Sequence, residues 1–494
     1  MEVVVVVENF LAGTMVPCRR LVDSYEPGTG VVWAKVPESG KLEVDAAVAA
    51  AKRALPKWSR TTAQERAKYL LKVADLLEAE MEAFAVAESR DQGKPLWLAR
   101  TVDVPRAIFD LRHAAHALQH LLATSSVQSE ADVVSYVLRE PVGVVGIICP
   151  WNKPLCGLTG KLAPALMCGN TVVAKPSQHT SVTSYMLCKL IQDAGLPAGT
   201  VNMVFGSGPV AGEALAAHNE VSLLAFTGST KLGKHIACIA ASLLKRFSLE
   251  TGGNNAAVVF KDCDLNLCID TLKRSSFLNQ GETRLCTTRI YVEETLYEEF
   301  LDSFVEAVRE LRVGPPSDEN VFMGAMVSKD NLETVRGFVN LALEEGGAVL
   351  CGDDIESCSL PTENKNGFFM RPTVISGLQD ESRCMQAEIR GPVVCVLPFH
   401  SEQEVVRRIN SSDSGVGACV WTSSLGVAHR VARKLKAETV CTNCWSSSEQ
   451  NAPSGEARDG GRGALGTQKH LQLFTQTKTI TTLVPQKDDE EDTE

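Results

Sequence analysis

Residues 277–286 read FLNQGETRLC, and the groups suited to covalent chemistry lie together in them. A polar loop centred on Gly281, with the Cys286 thiol close behind it and a long apolar segment before it, suits a pocket built around a cysteine nucleophile. Arg284 stands between the glycine and the thiol. A guanidinium is always protonated and has no acceptor, so it cannot attack a carbonyl.

Three other groupings bear on chemistry. Phe226-Thr227-Gly228-Ser229-Thr230, followed by Gly233, lies between an apolar run and a helical pattern, where backbone N–H groups and a helix dipole hold a phosphate. It is not GxGxxG, and on its own an ordinary strand-to-helix turn describes it better. His113, His116 and His120 share one helical face, but no carboxylate or cysteine at suitable spacing completes a ligand set, so no metal is expected. Cys441 and Cys444 form a CxxC without a second pair, which reads as a strand end lining a cavity rather than a zinc or redox site.

Two periodicities position these groups. From Val44 to about Gln119 apolar residues recur at three and four, the pattern of amphipathic helices. From Pro141 short, fully apolar runs (VGVVGIICP, TVVAKP, TVNMVFGSG, VSLLAFTGS, AAVVF) alternate with helical segments. Strands apolar on both faces and joined by helices make a parallel sheet covered on both sides, with a dinucleotide as the natural guest at its carboxyl ends. A second α/β unit starts after Gly253, with RIYVEE, strands near 369–375 and 393–398, VGACVWT, and a helix around 427–435. LFTQTKTITTLV alternates like a strand with nothing left in its own chain to close against, so pairing with another subunit is expected. The tail KDDEEDTE is too acidic to order.

Composition narrows the classes further. With 494 residues and 44% hydrophobic content the chain buries a sizeable core, and its length suggests roughly two to four domains. A net charge of −11 disfavours nucleic acid and anionic membranes as partners. Sixteen cysteines scattered through apolar runs point to reduced thiols and a cytoplasmic protein. MEVVVVVENF lacks the basic start and apolar length of a signal sequence, and no run nears the ~18 apolar residues of a membrane span.

Several motifs in register make the chain resemble the aldehyde dehydrogenase superfamily over roughly residues 8–484. DSYEPGTG, SSFLNQGE, TVNMVFGSGP and TNCW are similar to its aminomuconic semialdehyde dehydrogenase branch. The resemblance implies an α/β fold of two doubly wound, parallel-sheet, Rossmann-like domains plus an oligomerisation arm. Residues 1–120 and 141–250 then form a dinucleotide-binding domain and 251–445 a catalytic-type domain. Residues 121–140 and 446–486 form the oligomerisation segments, 487–494 a disordered tail, and a homodimer or homotetramer is expected. Such enzymes oxidise an aldehyde by thiolate attack, hydride transfer to NAD, and hydrolysis of the thioester. Matching motifs put Asn152, in Pro150-Trp151-Asn152, at the oxyanion position and Glu250, in SLETGGNN, at the general-base position. Trp151, Lys175, Ser177, Gln178, Gly208, Phe226, Gly228, Ser229, Gly233 and Glu388 fall on the cofactor site.

The same resemblance exposes four departures. Arg284 occupies the nucleophile position itself, and Cys286, two residues on, points differently on either a strand or a helix. Gln178 replaces a glutamate that accepts from ribose hydroxyls, so NAD binding should weaken or NADP be tolerated. Arg390 replaces an aromatic residue bordering the nicotinamide, and Pro453-Ser454-Gly455-Glu456 replaces Pro-Phe-Gly-Gly, while Cys156 and Gly160 thin the aromatic entrance. Arg284 is expected to lie near Glu250 and neutralise it. The pattern implies a catalytically inactive homologue with a structural role, similar to the omega-crystallins of the eye lens. The alternatives are an active NAD(P)-dependent aldehyde dehydrogenase using Cys286 and a dinucleotide-binding regulator without turnover.

Overall fold

Val144–Ile148, Thr171–Lys175 and Asn255–Val259 are buried at every residue, which is how a strand behaves when both faces of its sheet are covered. In the computed structural model, which describes residues 4–117, 125–128, 133–352, 360–412, 415–445 and 466–484, they lie inside two seven-stranded sheets. The first sheet runs Arg246–Glu250, Leu223–Thr227, Val144–Ile148, Thr171–Lys175, Val201–Met203, Asn9–Leu11, Thr14–Val16. Its first five strands are parallel and its last two antiparallel. The chain steps outward from Val144–Ile148 to Val201–Met203, then returns to the other side for Leu223–Thr227 and Arg246–Glu250. That reversal opens a crevice beyond the carboxyl ends of the central strands.

The second sheet runs Ala348–Cys351, Thr373–Ser376, Val393–Phe399, Thr287–Glu293, Asn255–Val259, Gly417–Trp421, Thr439–Thr442. All but the first strand are parallel to their neighbours. The helical periodicity after Val44 resolves into Lys41–Trp58, Ala63–Ala79, Met81–Gln92 and Val104–Ala117. Ala63–Ala79 starts where Thr62 and Glu65 satisfy each other's backbone N–H groups in a capping box. Trp58, Phe84 and Phe205 fill the core of the first unit; Phe277, Phe300 and Phe304 fill one core of the second.

The terminal strand corrects one expectation. Thr475–Leu483 does find a partner in its own chain, pairing antiparallel with Val133–Pro141, which pairs in turn with Ser125–Gln128. That partner lies far back: Arg139, which donates to Thr475 Oγ1 across the pair, is 336 residues from it, so no local pattern could reveal it. His120, residues 453–456 and the acidic tail lie outside the described residues. Among the described residues no helix is long and apolar enough to cross a membrane.

Candidate active site

The crevice contains about 1110 Å³ of atom-free space, its open mouth included. Strand ends deliver its lining. Val144–Ile148 runs on to Cys149, Trp151 and Asn152; Thr171–Lys175 runs on to Ser177 and Gln178; Leu223–Thr227 runs on to Gly228 and Ser229. Glu250 ends its own strand there, and Gly208 and Phe226 complete this side. Gly228 must stay bare, because a Cβ would sit 2.4 Å from the Phe226 ring. Ser229 caps the helix Thr230–Ser242 by accepting from the Leu232 N–H at 3.2 Å, which sets the positive end of that helix at the crevice. Gly233 lies outside the lining. A Cβ there would meet Thr251 Cγ2 at 2.4 Å, so the glycine lets the helix pack closely against Thr251. Lys175 is buried, donates to the Pro176 and Gly206 carbonyls at 2.7 and 3.2 Å, and is pulled down to about 8 by burial.

The loop after the helix Leu265–Phe277 forms the opposite wall. Asn279, Gln280 and Gly281 take φ values of 54°, 57° and 68°, three left-handed residues in a row. A Cβ on Gly281 would lie 2.2 Å from the Gly391 carbonyl oxygen, so this position admits only glycine. The turn sends Glu282, Thr283 and Arg284 to the crevice. Glu282 accepts from Gln92 Nε2 at 2.7 Å, Asn331 Nδ2 at 2.8 Å and the Val327 N–H at 3.1 Å. Burial outweighs these bonds and pushes its carboxyl up to about 8. Across the crevice the Asn152 carbonyl accepts from Asn279 Nδ2 at 3.2 Å and Lys94 Nζ at 3.1 Å. Lys94 is itself buried between Asp103 and Glu88, so the backbone carrying Asn152 is pinned from below.

Arg284 donates through Nε to the Thr251 carbonyl at 2.7 Å and pairs through Nη2 with Glu438 at 3.2 Å. Glu250 is held elsewhere, by Lys161 Nζ at 3.0 Å and Thr227 Oγ1 at 3.0 Å. Arg284 thus acts on Glu250 through space, while its own bonds run to Thr251 and Glu438. Burial raises the Glu250 carboxyl, but Lys161 and then Arg284 more than offset it, and the group is held below the usual carboxylate range. The reason is supply and demand of charge: Lys161 reaches Glu250 from the helix Pro154–Met167, while the nearly buried Glu438 needs a cation. Lys161, Glu438 and Lys94 escaped sequence reasoning because the partners that tie them to the site are distant: Lys161 and Glu250 are 89 residues apart, Lys94 and Asn152 58, Arg284 and Glu438 154. Arg390 lines the crevice too and pairs with Glu388 at 2.8 Å. Gly252 stays bare beneath them, since a Cβ would overlap Glu388 Oε2 at 1.9 Å.

Cys286 is 3% exposed and lies outside the lining. Its carbonyl accepts from Asn255 Nδ2 at 2.8 Å, and burial pushes its thiol up to about 11. Cys149 does line the crevice, but burial likewise pushes it up to about 11. His113 Nε2 lies 3.0 Å from Thr467 Oγ1, His116 is exposed, and among the described residues no group could hold a metal. Cys441 and Cys444 sit at the edge of the second sheet, outside the lining of this crevice. Gly160 borders a void of about 20 Å³ with Asp110 and His113, room for about one water.

The aldehyde dehydrogenase family model matches residues 16–480. The 2-aminomuconic semialdehyde dehydrogenase of Homo sapiens is 50% identical over 474 residues, covering 96% of this chain and 97% of that protein. The 2-aminomuconic 6-semialdehyde dehydrogenase of Pseudomonas sp is 38% identical over 481 residues, covering 96% and 97%. A solved NAD+ complex of an aldehyde dehydrogenase from Bacillus cereus superposes with a TM-score of 0.92 at 34% identity, covering 96% of each chain. Likeness in sequence and in fold extends over almost the whole length, and the chain belongs to the aldehyde dehydrogenase family.

Proposed function

We propose that this chain is a dinucleotide-binding member of its family in which thiol-dependent aldehyde oxidation is silenced. One observation carries the reading. The side chain at the motif's nucleophile position is Arg284, turned to Thr251 and Glu438, and the nearest thiol along the chain, Cys286, is buried off the crevice. No thioester can form on a guanidinium.

A nicotinamide dinucleotide fits the donor set that remains. The bare Gly228 and the helix capped by Ser229 suit a pyrophosphate, and Lys175, Ser177 and Gln178 supply polar groups at the neighbouring strand end. Gln178 offers one acceptor oxygen where a carboxylate offers two, and Arg390 already occupies Glu388, so binding is expected to be weaker than a carboxylate pair would give. When bound, the nicotinamide ring supplies a hydride acceptor. Among this chain's own residues, Glu250 remains an ionised carboxylate beside Lys161, and Asn152 faces the same space. The base and the oxyanion donor thus persist without a nucleophile. We also propose a homo-oligomer built on the arm sheet of Val133–Pro141 and Thr475–Leu483, to be checked by sedimentation or light scattering.

A second reading, a working NAD(P)-dependent semialdehyde dehydrogenase, is favoured by relatives at up to 50% identity that are named as such enzymes. The relatives lend nothing to a lens role. Aldehyde-dependent NAD(P)H production, with NAD and NADP titrated by calorimetry, separates the readings. Binding without turnover is expected; turnover abolished by Cys286→Ser would establish the second reading instead.

A further inference from the structure

The second sheet carries a row of thiols outside the crevice. Cys419 and Cys441 are register partners on the adjacent parallel strands Gly417–Trp421 and Thr439–Thr442, which puts their Cα atoms about 5 Å apart. Both pack in the same apolar cluster as Cys263 and Cys268. At one end Cys263 and Cys268 lie near enough for each thiol to shift the other's titration; at the other, Cys444 lies near enough to Cys441 to do the same. Exposure rises toward that second end: Cys419 is buried, Cys441 half-buried and Cys444 exposed.

The local backbone explains why the last pair meets. Asn443 is left-handed, with φ 52°, and is fastened to the neighbouring strand by its N–H to the Val420 carbonyl at 2.9 Å and its side chain to both Thr422 N–H and carbonyl. The chain therefore folds Cys444 back toward Cys441 instead of running on. Thr439–Thr442 is also the last strand of its sheet, so the pair stands at a rim. The same segment grips the loop of the candidate active site from both ends. Glu438 pairs with Arg284, and Trp445 Nε1 donates to the Leu285 carbonyl at 3.0 Å.

We propose that Cys441 and Cys444 form a redox-modification site, oxidised by small-molecule disulfides, with Trp445 reporting the change to the loop that carries Arg284. The site does not depend on dinucleotide binding. In the first step the Cys444 thiolate attacks one sulfur of the small disulfide, giving a mixed disulfide and releasing one thiolate, which takes up the Cys444 proton. In the second, Cys441 displaces the remaining small thiol, its own proton going to that leaving group. The protein loses two S–H bonds and gains one S–S bond, and two electrons reduce the small disulfide to two thiols. Burial and the neighbouring Cys441 hold the Cys444 thiol above its usual range, so the exchange should quicken as pH rises.

The test incubates the full chain with excess oxidised glutathione, alkylates the remaining thiols and maps the peptides by mass spectrometry while tryptophan emission is followed. The expected result is a peptide carrying Cys441 and Cys444 unalkylated and lighter by two hydrogens. An emission change should accompany it, absent from Trp445→Phe and from Cys444→Ser. Both thiols staying alkylatable, Cys444 stopping at a glutathione adduct, or Cys441 crosslinking to Cys419 would each overturn the proposal. A disulfide without any emission change would remove the link to the loop.

Discussion

Arg284 now serves as a structural cation for Glu438, and this sets what its replacement can do. Arg284→Cys restores a thiol but leaves a nearly buried carboxylate without that cation, at an expected cost of about 2–4 kcal/mol. Thermal or denaturant unfolding of Arg284→Cys against Arg284→Cys/Glu438→Gln checks this, because the second change should return much of the loss. Full family-like turnover from Arg284→Cys alone would show that Gln178 and Arg390 matter less than their positions suggest. Glu282 offers a pH test. Its folded value of about 8 lies above the ordinary carboxyl value of 4.5, so below the ordinary value both folded and unfolded chains hold the proton. Between the two values only the folded chain keeps it, and stability falls as pH rises through that window. Glu282→Gln should therefore gain on the parent from about pH 5 to about pH 8 in melting temperature. A difference that does not change with pH would contradict this. The protonated Glu282 also has an acceptor to hand once the Gln92 amide turns over, since Gln92 Oε1 is buried without a partner.

At the scale of elements, the three left-handed residues Asn279, Gln280 and Gly281 aim the loop at the crevice. Gly281→Ala should cost more than 2 kcal/mol, roughly, through its φ and the clash with Gly391, and should loosen the loop. Lowered melting temperature together with faster proteolysis near residue 281 would show it. What the sequence made legible here follows a physical divide. The wholly apolar runs read correctly as covered parallel strands, and the motif spacing brought Trp151, Asn152, Glu250, Arg284, Arg390 and Glu388 to one crevice as expected. Spacing carries no information about which charge meets which. Thus Lys161, which pairs with Glu250, and Glu438, which pairs with Arg284, went unnoticed.

For the whole molecule, the crevice at the reversal of strand order predicts a linkage effect. A dinucleotide that binds the folded chain should stabilise it by about 2.7 kcal/mol at a hundredfold excess over Kd. Thermal denaturation should show protection by NAD or NADP and no further protection from added aldehyde. Protection by neither would remove the binding half of the proposal while leaving the silent half standing. The arm sheet carries a consequence for the order of folding. All strands of the first sheet lie at or before Glu250, and those of the second end at Thr442, so both can assemble while the chain is still being made. Val133–Pro141 can pair early with Ser125–Gln128, but its other edge must wait for Thr475–Leu483, the last strand among the described residues, and closure over such a sequence distance is slow. A nascent chain stalled just short of residue 475 would therefore hold the strands of both seven-stranded sheets and one open strand edge, and the arrival of Thr475–Leu483 withdraws that edge from other chains.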